Sequence, residues 1–165
     1  MPVYLFTFHA YRSWMPDRGR GYVRRDEGIL PPDEEMAERY RQRATNDPTT
    51  LTREIQRALL EEIQTASQFQ RLRFHAGSTE PSHIHVLTSW RDARTTLAVR
   101  SGVKKSLSIR LTKLSTPDRQ LFLSGGASQK RVKDSAHLEH LLKIYLPKHR
   151  GVAWYQDRGW IDQFK

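Results

Sequence analysis

The chain has 165 residues, which is enough for one domain with its own hydrophobic core. It contains no cysteine, and this excludes disulfides, thiolate metal sites and cysteine nucleophiles. Lys and Arg outnumber Asp and Glu by 28 to 18, so the formal net charge is +10, and a surplus of this size favours polyanionic partners such as nucleic acid.

The N-terminal part of the chain predicts one strand, one loop and two helices. Residues 3–9 are β-branched and aromatic, as is typical of a strand. Residues 11–30 are rich in glycine and arginine and predict an irregular basic loop, and residues 33–44 predict a short charged helix. Residues 52–69 predict a long amphipathic helix, because apolar residues recur at spacings of three and four, and Thr52 is a suitable N-cap.

The middle of the chain predicts a hairpin followed by a second long helix. Residues 71–75 alternate between polar and apolar and predict a strand, and the sequence GSTEPS at 77–82 predicts a turn. Residues 83–89 predict the antiparallel partner of that strand. Residues 95–114 predict the helix, whose polar positions are strongly cationic.

The C-terminal part predicts a short strand, a loop and a third amphipathic helix. Residues 121–123 predict the strand, and residues 124–131 predict a flexible basic loop. Asp134 is expected to cap a helix that runs to about residue 145, and residues 154–160 are aromatic and rich in turn residues. The order of elements predicts a single α+β domain with helices packed on one face of a small antiparallel sheet.

Two histidines, His83 and His85, lie two residues apart in a predicted strand and therefore point to the same face. Such a pair can bind a metal ion or can lie on the solvent face of an edge strand, and the spacing alone does not decide between them. Leu87 argues against a histidine-triad hydrolase and a two-histidine phosphoesterase, which need histidine or a hydroxyl residue at that place. Without cysteine, a third metal ligand would be His, Asp, Glu, Asn or Gln.

The third predicted helix carries a tyrosine at the end of an apolar stripe. Leu138, Leu141, Leu142 and Tyr145 share one helical face, which we expect to pack on the sheet near the two histidines. A tyrosine in this position is also compatible with a purely structural role in the core. His149 follows Tyr145 by four residues, one helical turn, where it could join the same cluster.

Several stretches together resemble the single-tyrosine HUH transposases, a group that includes the REP-associated tyrosine transposases and the IS200-like transposases. These stretches are YLFTFHAYRSWMPDRGRGYVRR, PSHIHVL, SGGASQKRV and HLEHLLKIYLPKH. His83, Ile84 and His85 match the histidine–bulky apolar–histidine signature of the family. Tyr145 takes the place of its nucleophilic tyrosine, and His149 takes the place of its third metal ligand, one helical turn later.

The resemblance implies a ferredoxin-like, HUH-type domain over residues 1–165, with a basic loop and short helix inserted at about 15–48. It implies that His83, His85 and His149 hold Mg²⁺ or Mn²⁺ and that Tyr145 is the catalytic nucleophile. The implied reaction is cleavage and transfer of single-stranded DNA through a 5′-phosphotyrosine intermediate, at or beside hairpin DNA of the REP type.

One residue departs from a regular helix between the tyrosine and the third ligand. Pro147 disfavours helical geometry at Leu146 and lacks a backbone donor, so the helix is expected to kink or stop there. His140 and His137 are the alternative third ligands, although both precede the tyrosine.

Clusters of basic and aromatic residues predict a surface for single-stranded DNA, although each basic residue alone is compatible with an ordinary solvated charge. The predicted nucleic-acid-binding residues are Arg12, Trp14, Arg18, Arg20, Arg24 and Arg25 in the first loop, Lys104, Lys105 and Arg110 on the second long helix, and Gln129, Lys130 and Arg131 near the C-terminal helix.

The expected partners follow from these features. We expect single-stranded or hairpin DNA, with either a homodimer or a monomer as the assembly. No apolar run approaches the roughly 20 residues of a membrane span, and the N-terminal residues lack the pattern of a signal peptide, so we expect a cytoplasmic, nucleoid-associated protein with no membrane partner. The alternative function is a non-catalytic or domesticated nucleic-acid-binding domain with the same fold.

Overall fold

The structure, a computed structural model, describes residues 1–24 and 27–162. The strands are β1 (Val3–His9), β2 (Tyr22–Arg24), β3 (Gly28–Leu30), β4 (Arg73–Glu80), β5 (His83–Ser89), β6 (Ser128–Arg131), β7 (Val152–Tyr155) and β8 (Gly159–Asp162). The helices are α1 (Glu34–Gln42), α2 (Arg53–Phe69), α3 (Thr96–Leu114) and α4 (Ser135–His140), and α4 continues into a π-helical turn, Leu141–Tyr145, and a 3₁₀ turn, Leu146–Lys148. None of the described helices combines the length and apolarity needed to cross a bilayer.

Six strands form one antiparallel sheet in the order β6-β1-β5-β4-β7-β8, and β2 and β3 form a separate hairpin. The predicted α+β class and antiparallel sheet are therefore confirmed. The strand with the two histidines, β5, is a central strand between β1 and β4, so both of its edges are hydrogen-bonded. The interpretation of an exposed edge strand for His83 and His85 is wrong.

The two faces of the sheet carry different helices. The long helices α2 and α3 lie on one face, where Phe6 and Ile84 belong to the larger apolar core. The opposite face is covered in part by α4 and its extension, which pack on Leu5 and Leu87. Because side chains alternate along a strand, His85 shares the face of Leu87 and therefore lies on the α4 side.

Most elements that follow from periodicity and capping are confirmed. β1, β5, α2 and α3 have the predicted positions, and α1 forms within the predicted charged segment. The Thr52 hydroxyl accepts a hydrogen bond from the Ile55 amide, and Asp134 accepts one from the His137 amide at 2.8 Å. These caps place the first turns of α2 and α4.

The predicted turn at 77–82 is wrong, because β4 continues to Glu80 and the chain turns only at 81–82. The polar run enters the buried strand at Ser78 and Thr79, and of these two hydroxyls the Ser78 one has no partner among the described residues, whereas the Thr79 one is hydrogen-bonded. The Thr79 hydroxyl lies 2.7 Å from both Gln56 Oε1 and the carbonyl oxygen of Val152. A buried hydrogen-bond network therefore replaces the apolar packing that a central strand usually offers.

Four further predictions, all of them in short segments, need correction. The predicted loop at 124–131 contains the edge strand β6, and the predicted strand at 121–123 is reduced to a single bridge between Leu123 and Ala10. The turn-rich tail forms the hairpin β7–β8, and the predicted loop at 11–30 contains the hairpin β2–β3. These strands are only three or four residues long, too short to show a periodic pattern.

The start of β7 is fixed by a close approach at Gly151. A Cβ atom there would lie 2.0 Å from the Thr79 carbonyl oxygen and 2.4 Å from Gln56 Oε1. Gln56 is fully buried on α2, and its side chain also accepts a hydrogen bond from the Val152 amide at 3.2 Å. Because His149 is two residues before Gly151, this contact also limits where His149 can lie.

We expect Gly151→Ala to lower the free energy of unfolding by at least about 2 kcal/mol, because the new methyl group meets backbone and has no space to move into. Chemical denaturation measures this value. Gly126→Ala is the matched control, since nothing lies within 4 Å of its Cβ position, and it should change stability by less than about 1 kcal/mol. Equal stability of the two variants would contradict the close approach.

Candidate functional site

Three histidines meet on the α4 side of the sheet. His83 and His85 project from β5, His149 follows the 3₁₀ turn, and their nitrogen ligand atoms all lie within 4.8 Å of one another. The Nε2 atoms of His85 and His149 are 2.8 Å apart. Among the described residues, His83, His85 and His149 are the group of ligand side chains close enough together to hold a metal ion. Neither His137 nor His140 belongs to this group.

His149 reaches this position because the helix ends irregularly after Tyr145. The Leu146 amide donates to the Leu141 carbonyl, an i to i+5 bond that widens the last turn. Pro147 has no amide hydrogen and cannot continue an α-helix, and a 3₁₀ turn follows. His149 then adopts an extended conformation (φ −79°, ψ 126°) and is buried beside the sheet.

Each histidine uses its Nδ1 atom for a hydrogen bond, which leaves Nε2 directed elsewhere. His85 Nδ1 is 2.8 Å from the Thr7 hydroxyl, and His83 Nδ1 is 2.8 Å from the Ser82 hydroxyl. His149 Nδ1 is 3.3 Å from the Leu146 carbonyl. Because a carbonyl only accepts, this contact favours the tautomer of His149 that has its proton on Nδ1 and a lone pair on Nε2.

Burial keeps the two strand histidines neutral. Loss of solvent, with smaller contributions from the neighbouring His149 and His9, lowers the pKa of His83 from 6.5 to about 4. The same effects, with burial again the largest, lower the pKa of His85 to about 2. Near pH 7 both rings therefore hold lone pairs and no positive charge, the state in which imidazole binds a metal.

Tyr145 lies beside this cluster. Its ring centre is 5.4 Å from that of His85 and 5.0 Å from that of His149, and the side chain is partly exposed. Burial, and then the negative charge of Glu80, raise the pKa of Tyr145 above 10. The phenol is therefore protonated at neutral pH, and it would need nearby positive charge to become a nucleophile.

Sequence reasoning missed several residues that support the histidines. Thr7 and His9 of β1 lie directly opposite His85 and His83 in the sheet, and the His9 and His83 ring centres are 5.6 Å apart. Burial, and then the positive charge of Arg18, lower the pKa of His9. The alternation of Thr7 and His9 along β1 was a signal for one polar face, but the sequence did not show which strand β1 pairs with.

The predicted nucleic-acid-binding residues of the first loop differ in their surroundings. Arg18 is exposed and close enough to lower the pKa values of His9 and His83. Arg12 and Trp14 line a small cavity, Arg20 is exposed, Arg24 pairs with Glu27 at 3.2 Å, and Arg25 lies outside the described residues. Among the members of this loop set that the structure describes, Arg18 is therefore the one whose charge acts on the histidines.

The cationic residues of α3 lie on the opposite side of the sheet from the histidines. The Lys104 ammonium donates to the Gly125 carbonyl at 2.5 Å, and Lys105 is exposed in the same groove of about 450 Å³. Arg110 lies further along the helix, with its Nε atom buried and without a partner among the described residues. These side chains therefore do not share a surface with Tyr145.

The edge strand β6 carries its three predicted residues on both faces. Lys130 pairs with Leu5 and lies on the histidine side, whereas Gln129 and Arg131 pair with Phe6 and Tyr4 and lie on the α3 side. All three are exposed. The edge strand β6 therefore presents polar or cationic side chains on both faces of the sheet.

Comparisons with known proteins agree with this architecture at the level of the fold. No protein-family model matches the sequence, and a search of curated proteins finds no match. Among solved structures, the chain is similar to a REP-associated tyrosine transposase bound to a REP hairpin, with a TM-score of 0.47 and 9% identity over 88% of this chain. The chain spans 62% of the length of that protein.

A second solved structure is similar over nearly its whole length. It is a candidate transposase from Deinococcus radiodurans R1, with a TM-score of 0.50 and 11% identity, and the match covers 90% of this chain and 91% of that one. At this identity the likeness concerns the fold. The present chain therefore shares the fold of this candidate transposase. In the present chain, the histidine cluster and Tyr145 lie on one face of the sheet.

Proposed function

We propose that the protein is a metal-dependent strand transferase that acts on single-stranded DNA through a 5′-phosphotyrosine at Tyr145. The observation that carries this proposal is the convergence of His83, His85 and His149 beside the Tyr145 phenol. The four residues come from separate parts of the chain, and a structural role alone does not require three imidazoles and a phenol in one place. One chain supplies all four groups, so the proposal needs no second subunit.

The cluster fits a divalent cation, which we propose to be Mg²⁺ or Mn²⁺ as the family resemblance implies. Two of the imidazoles are neutral near pH 7, and all three are oriented through hydrogen bonds at Nδ1. Three protein ligands leave coordination positions free for substrate oxygens. A cation bound there would polarise the scissile phosphate and offset the charge that develops on its oxygens.

Tyr145 is the proposed nucleophile. Its oxygen would form a bond to phosphorus as the bond from phosphorus to the 3′ oxygen breaks, which leaves a 5′-phosphotyrosine and a free 3′-OH. The phenol loses its proton to water, and the leaving 3′ oxygen takes one up. Because the phosphodiester bond energy is retained, a second 3′-OH can reverse the step and join a different strand.

Single-stranded DNA beside a hairpin is the proposed substrate. The net charge of +10 favours a polyanion, and Arg18 extends the positive charge to the edge of the histidine cluster. Lys130 lies on the same face of the sheet as the histidines. The hairpin itself is proposed from the family resemblance.

Tyr145→Phe should abolish the covalent DNA adduct, because the variant keeps the ring but lacks the attacking oxygen. We expect binding of the same DNA to stay within about threefold, since no strong contact is lost. The measurement is a denaturing gel after incubation with Mn²⁺ and a labelled pool of hairpins with single-stranded tails. Binding is followed separately by fluorescence anisotropy.

Tyr4→Phe is the matched control for this experiment, because it removes the hydroxyl of a partly buried tyrosine on the face of β1 away from the histidines. It should form adduct like the wild type. Adduct formation by Tyr145→Phe would reject the nucleophile, and no adduct from the wild type with any tested DNA or divalent metal would favour a binding domain without catalysis.

Thr7→Val should weaken Mn²⁺ binding by about 10- to 100-fold, because the buried hydroxyl that orients His85 Nδ1 is lost while the side-chain volume is kept. Isothermal titration calorimetry of the protein without DNA measures the affinity. Thr7→Ser keeps the hydroxyl and should bind within a few-fold of the wild type, and His149→Ala should bind most weakly. Equal affinity of Thr7→Val and the wild type would contradict the orienting role.

A further inference from the structure

A small cavity near the C-terminal end of β1 combines aromatic and cationic walls. Tyr11, Trp14 and Tyr40 supply the aromatic side chains, and Arg12 and Arg43 supply the guanidinium groups. Its volume is about 240 Å³, below the range of about 300–1,000 Å³ that is usual for drug-sized ligands. A cavity of this size and composition suits a flat ring system attached to an anion.

The walls of the cavity are held in place by the rest of the fold. The Tyr11 amide donates to the Phe122 carbonyl at 2.9 Å, and the Tyr11 and Phe122 rings pack edge to face. Trp14 packs in the same way on Tyr22. On the other side, Arg41 of α1 pairs with Asp17, which ties the helix that carries Tyr40 and Arg43 to the first loop.

Arg12 has two features that the fold alone does not explain. Its backbone has φ +57°, a left-handed conformation that side chains other than glycine rarely adopt. Its Nη1 atom donates to the Asn46 carbonyl at 3.2 Å, but its buried Nε atom has no partner among the described residues. The left-handed backbone and the unpartnered Nε atom mark Arg12 as a strained residue of the cavity wall.

The cavity is joined to the metal cluster by a short connection. Tyr11 and Arg12 follow His9 by two and three residues. His9 is the last residue of β1 and pairs with His83 in the sheet. The Ser13 hydroxyl donates to the Ser82 carbonyl at 2.8 Å, and the Ser82 hydroxyl is in turn 2.8 Å from His83 Nδ1. Arg12 and Trp14, the cavity residues on either side of Ser13, are therefore tied to the strand end that carries His83.

We infer that this cavity binds one unpaired nucleobase of the DNA strand, next to the phosphate that is cleaved. The inference rests on the proposed function and adds a base-binding subsite to it. Bases stack on aromatic rings regardless of their sequence, and Arg12 and Arg43 offer donors for base acceptors or for the adjoining phosphate. A base must leave a duplex stack to enter a cavity, so the subsite would favour single-stranded DNA.

The test combines a protein variant with a gap in the DNA. The probe is the tightest-binding oligonucleotide from a pool of hairpins with random single-stranded tails, remade with one abasic site at each tail position in turn. Affinities are measured by fluorescence anisotropy with EDTA present, so that no strand is cut. Tyr40→Ala is the variant, because Tyr40 is 48% exposed and lies outside the core.

For the wild type, an abasic site at one tail position should weaken binding by roughly 5- to 150-fold. Tyr40→Ala should bind the intact probe more weakly than the wild type does, by a similar factor. Removal of the same base from the probe should then weaken binding of this variant only slightly. Phe69→Ala, which removes an aromatic ring that is 83% exposed at the far end of α2, should bind like the wild type at every position. Tyr40→Phe keeps the ring and should bind within about twofold.

Wild-type affinity of Tyr40→Ala for the intact probe would overturn the subsite, as would equal losses in both proteins at every abasic position. Absence of binding to every member of the pool would overturn it as well. The proposed function fails in a different way: DNA is bound and shows the position-specific loss, but the wild type forms no covalent adduct with Mn²⁺.

Discussion

The Nε2 atoms of His85 and His149 lie 2.8 Å apart, and this contact joins the central strand of the sheet to the segment that carries the tyrosine. Both rings are buried, and two ring nitrogens at this distance need either a proton or a cation between them. The position of Tyr145 depends on the same contact, because only three residues lie between it and His149. The contact that holds the local fold together is therefore also the contact that places the proposed catalytic groups.

The contact is supported from the opposite side of the sheet. Gln56 of α2 reaches through to Thr79 and Val152, and the missing side chain at Gly151 lets the backbone pass close to Thr79. These buried hydrogen bonds place the start of β7. Because the chain runs from His149 to β7 in three residues, the position of the third imidazole follows from a network that contains no metal ligand.

Sequence periodicity predicted the long helices and the strand with the histidine pair, since these elements are long enough to show a pattern. It did not predict the extension of β4, whose Ser78 and Thr79 are polar and buried, or the short strands β6, β7 and β8, which form through pairing with distant segments. Pro147 was expected to disturb the helix, and it does, but the π and 3₁₀ turns around it bring His149 to the cluster. The cationic pattern of α3 was visible, but which face of the sheet the helix covers depends on packing across the whole core.

The central claim is that three imidazoles and one phenol share a single metal centre. Anomalous X-ray diffraction from crystals soaked in MnCl₂ tests it most directly. The account predicts one anomalous peak between His83, His85 and His149, with the Tyr145 hydroxyl on the same side of the sheet. An ion bound elsewhere with none at the histidines, or a Tyr145 side chain turned away from an occupied site, would contradict it.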